Sequence, residues 1–251
     1  MWANNPNLYK ELDFKNLIPR MENVGFINTG GRFVSVESQK IHKTPALSTE
    51  AVWIYVNPNK NMFCNEYQLI VKGFGFIPQR CLECYKVVIM PRSFHELMVL
   101  WELEEKVAIE NPTFWCKCGI EKRDFVNRNY GGYFYCHGLE VGKQRYKTVR
   151  KLIDDNLSPD VNVILKRYCT EFELMFGPSD KYEQPPGALE LEKWFWDNVE
   201  IQQDAYKQPE FIRQHVVQSW MMFAWGRGDK TVLLYNNGEP FFPPPITYHG
   251  E

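Results

Sequence analysis

CLECYKVVIMPRSFHELMVLWELEEKVAIENPTFWCKC, residues 81–118, carries the periodicities that decide the fold. Tyr85 to Met90 has the β-branched content of a buried strand, and Pro91 ends it. Ser93 and Glu96 then fit a capping box, in which the serine hydroxyl takes a free amide and the glutamate reaches back. The helix that follows is expected from Phe94 to about Val107. Leu97, Leu100, Trp101, Leu103 and Val107 form its apolar face, with Glu102, Glu104, Glu105 and Lys106 mostly opposite. Asn111-Pro112 breaks it.

Two cysteine pairs bracket this unit, Cys81/Cys84 and Cys116/Cys118, with 31 residues between them. The strand carries the chain roughly 20 Å out, and a helix of the expected length brings it about 21 Å back. Packed antiparallel, they would return Cys116 to the side of Cys81. Cys-x-x-Cys in a tight turn can aim two thiolates at one tetrahedral centre, and Gly119 would allow a second turn after Cys118. The expected metal ligands are therefore Cys81, Cys84, Cys116 and Cys118, with Cys64, Cys136 and His137 as alternates. Structural zinc is the first expectation and an iron–sulfur cluster the alternative, since both use the same thiolates. Arg80, Lys86, Lys117, Lys122 and Arg123 are placed to offset the thiolate charge. Thiol redox chemistry is less favoured because Cys84 precedes a strand, whereas a helix N-terminus would lower a thiol pKa. Cys169, on an expected strand, reads as a small buried hydrophobe.

Working outward, the N-terminal third reads as hairpins. Phe26-Ile27 and Phe33 to Val36 flank Asn28-Thr-Gly-Gly31, and a second pair is expected from Ala51–Val56 and Met62–Val71. Beyond the bracket, Tyr130 to His137 reads as aromatic strand, Leu139 to Asn156 as helix, and Val161 to Leu165 as a strand continuing through Phe176. Gly177 to Gly187 is the linker candidate. Two helices follow, at 188–204 and 209–224, the second with Ile212, Val216, Trp220 and Ala224 on one stripe. A short strand from Thr231 to Tyr235 precedes a proline-rich tail. The class is α+β: N-terminal antiparallel hairpins, a central mixed βα region with a cysteine knuckle, and C-terminal helices. The expected division is an arm at 1–20, a metal-binding domain at 21–177, and a helical subdomain at 185–251.

With 251 residues, 44 % apolar, the chain is long enough for a proper core. A formal charge of −2 provides no global field toward nucleic acid or anionic membranes. No window approaches about eighteen consecutive apolar residues, so no membrane span is expected. The first residues lack a basic stretch followed by an apolar one, so no signal peptide is expected there. Seven cysteines, an odd number, fit a reducing compartment better than a disulfide scaffold, and the expected location is cytoplasmic.

Other candidates are weaker. Lys143, Arg145, Lys147, Arg150 and Lys151 could meet phosphates, although a solvated helix face is the more economical reading. Arg167, Glu171 and Glu173 would share one side of a regular strand and could form an acid–base set, or merely a ladder of ion pairs. Glycine-rich phosphate loops, nucleophile elbows and zinc-protease signatures are missing. The expected function is a metal-stabilised protein acting through a protein partner. The alternatives are a metalloenzyme or iron–sulfur redox protein, and a nucleic-acid-binding protein using the basic helix.

Overall fold

The computed structural model describes residues 19, 26–28, 33–35, 52–57, 64–200, 208–242 and 244–249. Two short strands, β1 (Phe26–Asn28) and β2 (Phe33–Ser35), pair antiparallel as the first hairpin requires. The main sheet has five strands: β3 (Trp53–Val56), β4 (Cys84–Met90), β5 (Trp115–Ile120), β6 (Tyr130–His137) and β7 (Asn162–Arg167). Their spatial order is β3-β5-β6-β4-β7, and every neighbouring pair is antiparallel. A two-residue strand, β8 (Val199–Glu200), lies parallel to β2. The helices are α1 (Cys64–Phe74), α2 (Gln79–Leu82), α3 (Phe94–Glu110), α4 (Leu139–Asn156), α5 (Thr170–Phe176), α6 (Ala188–Asn198) and α7 (Glu210–Gly226). A 3-10 turn spans Lys230–Tyr235. An antiparallel sheet with helices is an α+β arrangement.

Alternation along each strand separates two faces. Ile54, Val87, Ile89, Cys116, Cys118, Ile120 and Phe134 point to one side and join α3, α4 and α7 in the larger core. The α7 stripe Ile212, Val216, Trp220 and Ala224 is buried there as its spacing requires. The second core gathers α1, α2, α5 and α6 around Tyr67, Phe74, Phe172 and Phe195. The two helices behind the expected linker thus join different cores. Within the linker stretch itself, the Tyr182 hydroxyl accepts the Ile77 amide at 2.9 Å.

Several local expectations are corrected. Residues 64–74 are helix, not the second arm of a hairpin. Tyr67, Ile70, Val71 and Phe74 all turn inward at helical spacing, and β3 pairs with β5 instead. The strand expected through Phe176 stops at Arg167. Tyr168 takes φ 31°, a left-handed turn, and α5 begins two residues later. Residues 231–235 belong to a 3-10 turn, capped by Asp229 accepting the Thr231 amide at 3.0 Å. Gly119 makes no turn. It sits inside β5, where a Cβ would collide with the Val52 carbonyl oxygen on the approaching edge strand. At the start of α3, Ser93 Oγ accepts the Glu96 amide at 3.2 Å, but the Glu96 carboxylate receives the Arg92 amide at 2.6 Å. Glu104, expected on the wet side of α3, is buried against Gly132 and Cys118.

Candidate functional site

The sheet's second face is not sealed by the helices above it. A cavity of about 510 Å³ remains between that face and α1, α2 and the start of α5. Its floor is built by strand alternation: Cys84 and Lys86 from β4, Trp115 and Lys117 from β5, Tyr133 and Tyr135 from β6. Cys64 and Tyr67 from α1, Cys81 from α2, and Cys169 with Phe172 around the start of α5 complete the wall.

The cysteine bracket does not close. Cys84 and Cys116 lie on opposite faces of the sheet with β6 between their strands, so two strand spacings, roughly 10 Å, separate them laterally. Cys116 and Cys118 are fully buried in the larger core and sense Glu104 rather than the other pair. The cavity instead brings together Cys64, the Cys81/Cys84 pair and Cys169, from three separate places in the chain. Cys64 is open to the cavity yet enclosed by the walls, and burial pushes its thiol up to about 11. Burial likewise pushes Cys84 up to about 12 and Cys81 well above the ordinary thiol range. All seven cysteines are free thiols. With their pKa values raised, Cys64, Cys81 and Cys84 are protonated at neutral pH, a poor state for disulfide exchange. A metal binding them would have to release their protons.

Among the described residues, no three His, Cys, Asp or Glu side chains are gathered closely enough to hold one metal ion. Of the alternate ligands, Cys136 sits at the cavity rim with its Sγ 3.4 Å from the Tyr85 carbonyl. His137 Nε2 lies 3.0 Å from the Glu83 carboxylate.

The second unusual feature is cationic. Lys86 is only 5 % exposed, and it forms no ion pair or hydrogen bond with the described residues. Lys117 likewise forms no ion pair among the described residues; its ammonium lies 4.6 Å from the Trp53 ring, 5.5 Å from Tyr55 and 5.6 Å from Tyr133. Lys86 lies over the same Tyr133 ring at 5.6 Å. Burial, followed by the charge of Lys86, lowers the Lys117 pKa. Burial works against the Lys86 ammonium too, but Cys169 and Cys84 with Tyr133 and Glu171 outweigh it and raise its pKa. Ring faces return about 2 kcal/mol to a desolvated cation, whereas burying a charge costs several kcal/mol. The rings therefore do not offset the burial of Lys117.

Nearby, the charges are matched. Arg123 bonds Glu121 at 2.6 and 2.7 Å and Glu171 at 2.8 Å. Burial raises the Glu121 carboxyl, but the Arg123 guanidinium more than reverses this and holds it below the ordinary range. The Tyr133 hydroxyl joins this network, donating to Glu121 at 3.1 Å and accepting from Arg128 at 2.8 Å. Lys86 and Lys117 thus lack the carboxylate partners that Arg123 holds beside them. No family model, curated protein or solved structure matches the chain.

The remaining sequence candidates disperse. Arg167 donates to the Leu82 and Ser179 carbonyls at 2.6 and 2.9 Å, tying α2 and the 177–187 stretch to β7. Glu171 reaches the cavity but is held by Arg123, and Glu173 pairs with Lys166. No acid–base set forms among the three. On α4, Lys143 pairs with Glu140, Lys151 with Asp155, and Arg150 with Asp154 and the Val161 carbonyl. Arg145 stacks on Phe114 at 3.4 Å, leaving Lys147 exposed on that face. No helix among the described residues is long and apolar enough to cross a membrane.

Sequence reading missed Cys169 as a site residue and the unpaired state of Lys86 and Lys117. The legible signal was a lysine at alternate positions inside two apolar strands, where a charge is rarely buried without purpose.

Proposed function

We propose that this is an iron–sulfur protein, with its cluster in the cavity on Cys64, Cys81, Cys84 and Cys169. One observation carries this: Cys64, the Cys81/Cys84 pair and Cys169, from three separate places in the chain, line a single cavity. This ligand set replaces the bracketed one, and an iron–sulfur cluster replaces structural zinc. Zinc needs its four sulfurs about 2.3 Å from one point. A four-iron cluster takes one thiolate per iron, so its ligands stand further apart. Lys86 beside Cys84 and Cys169 would offset the negative charge of a thiolate-bound cluster. Four free thiols remain available in a reducing compartment, which fits the cytosol. The activity is redox or cluster-assisted catalysis in a cavity with room for a small molecule.

Anaerobic reconstitution with ferrous iron and sulfide tests it. The expected product is brown, carries about four irons per chain, and loses its iron when Cys64, Cys81, Cys84 or Cys169 is replaced by serine. Cys116→Ala should retain it. Stoichiometric zinc on the same four residues, or iron uptake that depends on Cys116, would overturn the assignment.

A further inference from the structure

The paired lysines call for a ligand of their own. Lys86 and Lys117 come from two different strands and approach one ring, Tyr133, each at 5.6 Å. Neither has a carboxylate partner among the described residues, although Glu121 and Glu171 stand close by, both committed to Arg123. Two ammonium groups held this way favour a compact dianion. Lysine meets phosphate as a point charge, whereas the planar fork of arginine suits a bidentate carboxylate. Beside them, Trp115 and Tyr135 stack at 3.9 Å and line the same cavity, offering apolar surface to a flat organic group. A volume of about 510 Å³ falls within the range of small-molecule sites.

We propose that the cavity binds a small organic phosphate monoester, its phosphate between Lys86 and Lys117 and its body against Trp115 and Tyr135. This site shares Lys86 and the cavity with the proposed cluster, but Lys117 and its rings lie on the sheet floor and need no metal to be formed. Bound phosphate would supply the counter-charge that the protein itself withholds. The protein without ligand therefore carries a cost at Lys117, whose buried ammonium has no carboxylate partner among the described residues.

Calorimetric titration of the intact protein with phenyl phosphate, inorganic phosphate and succinate tests the assignment. Phenyl phosphate should bind at least tenfold more tightly than inorganic phosphate, and succinate more weakly than either. Lys86→Met and Lys117→Met should each weaken phenyl phosphate at least tenfold, with a melting temperature unchanged or raised, while Lys147→Met leaves binding unaltered. No binding of either phosphate, preference for succinate, or binding indifferent to both lysine variants would overturn it. Iron content measured on the same variants separates the two readings. Loss of iron with binding retained would assign the lysines to the cluster and overturn the phosphate site. Binding that persists in Cys84→Ser, with no cluster formed by the parent protein, would leave the phosphate site standing while the cluster assignment falls.

Discussion

The two faces of the central sheet are made by the same strands yet behave as different materials. In β5, Cys116 and Cys118 disappear into the larger core, while Trp115 and Lys117 between them open on the cavity. In β4, Val87 and Ile89 are core and Lys86 is cavity floor. The face under α3, α4 and α7 is largely apolar, with Glu104 a carboxyl buried among hydrocarbon. The cavity face is cationic, aromatic and thiol-bearing, and does not fill its own volume. Stability is invested on one face and unmet chemical demand is left on the other.

Breaking the packed face should cost most. Trp220 is fully buried, meets Trp101 edge-on, and donates its Nε1 proton to the Val52 carbonyl at 2.8 Å. Trp220→Ala should lose about 3–5 kcal/mol, read by urea denaturation. Gly119→Ala should cost about 1–3 kcal/mol by forcing β3 away from β5. Hydrogen exchange should show the loss concentrated in β3, with β4 and β7 protected as before.

Glu104 sharpens the contrast with the opposite sign. Its oxygens make no hydrogen bond of ordinary geometry, and burial holds its carboxyl well above the usual carboxylate range, against weaker pulls from Cys118 and the Tyr133 amide. The folded state therefore keeps a proton that the unfolded chain gives up near its ordinary pKa of about 4.3. That contribution is fully present below the unfolded pKa and is lost as pH rises toward the raised folded value. Glu104→Gln should be more stable than the parent at pH 7, by on the order of 1 kcal/mol. Between about pH 4.5 and 7 the parent's stability relative to this variant should fall. Parallel melting curves for the two proteins across that range would contradict the assignment. The smallest effect belongs to Cys116→Ala, which removes one sulfur from the packed face. It should cost about 1 kcal/mol and leave metal uptake untouched.

Legibility in the sequence followed the range of the forces involved. The helices α3, α4 and α7 were readable because capping and 3.6-residue periodicity are local, and Ser93 with the 212–224 stripe carried both. Residues 64–74 misled because Leu69, Ile70 and Val71 are consecutive apolar residues that suit a strand; the tertiary inward turn of Tyr67, Val71 and Phe74 decides for helix. Glu104 was assigned to water because a carboxylate belongs there by composition, and only the approach of β6 at Gly132 covers it.

The cysteines mark the same boundary. The sequence by itself determined the α+β class, the strand Tyr85–Met90 with its following helix, and a concentration of thiols around it. Once residues 115–120 form a strand in place of the expected turn, its period puts Cys116 and Cys118 on one face and Lys117 on the other. Which thiols meet was decided only by the tertiary structure. Sheet order puts β6 between β4 and β5, and the turn at Tyr168 delivers Cys169 from a position 85 residues after Cys84. Convergence between distant residues depends on strand order and on which face each helix covers. Those are set by the joint burial of apolar surface across the whole chain, a quantity no local spacing records.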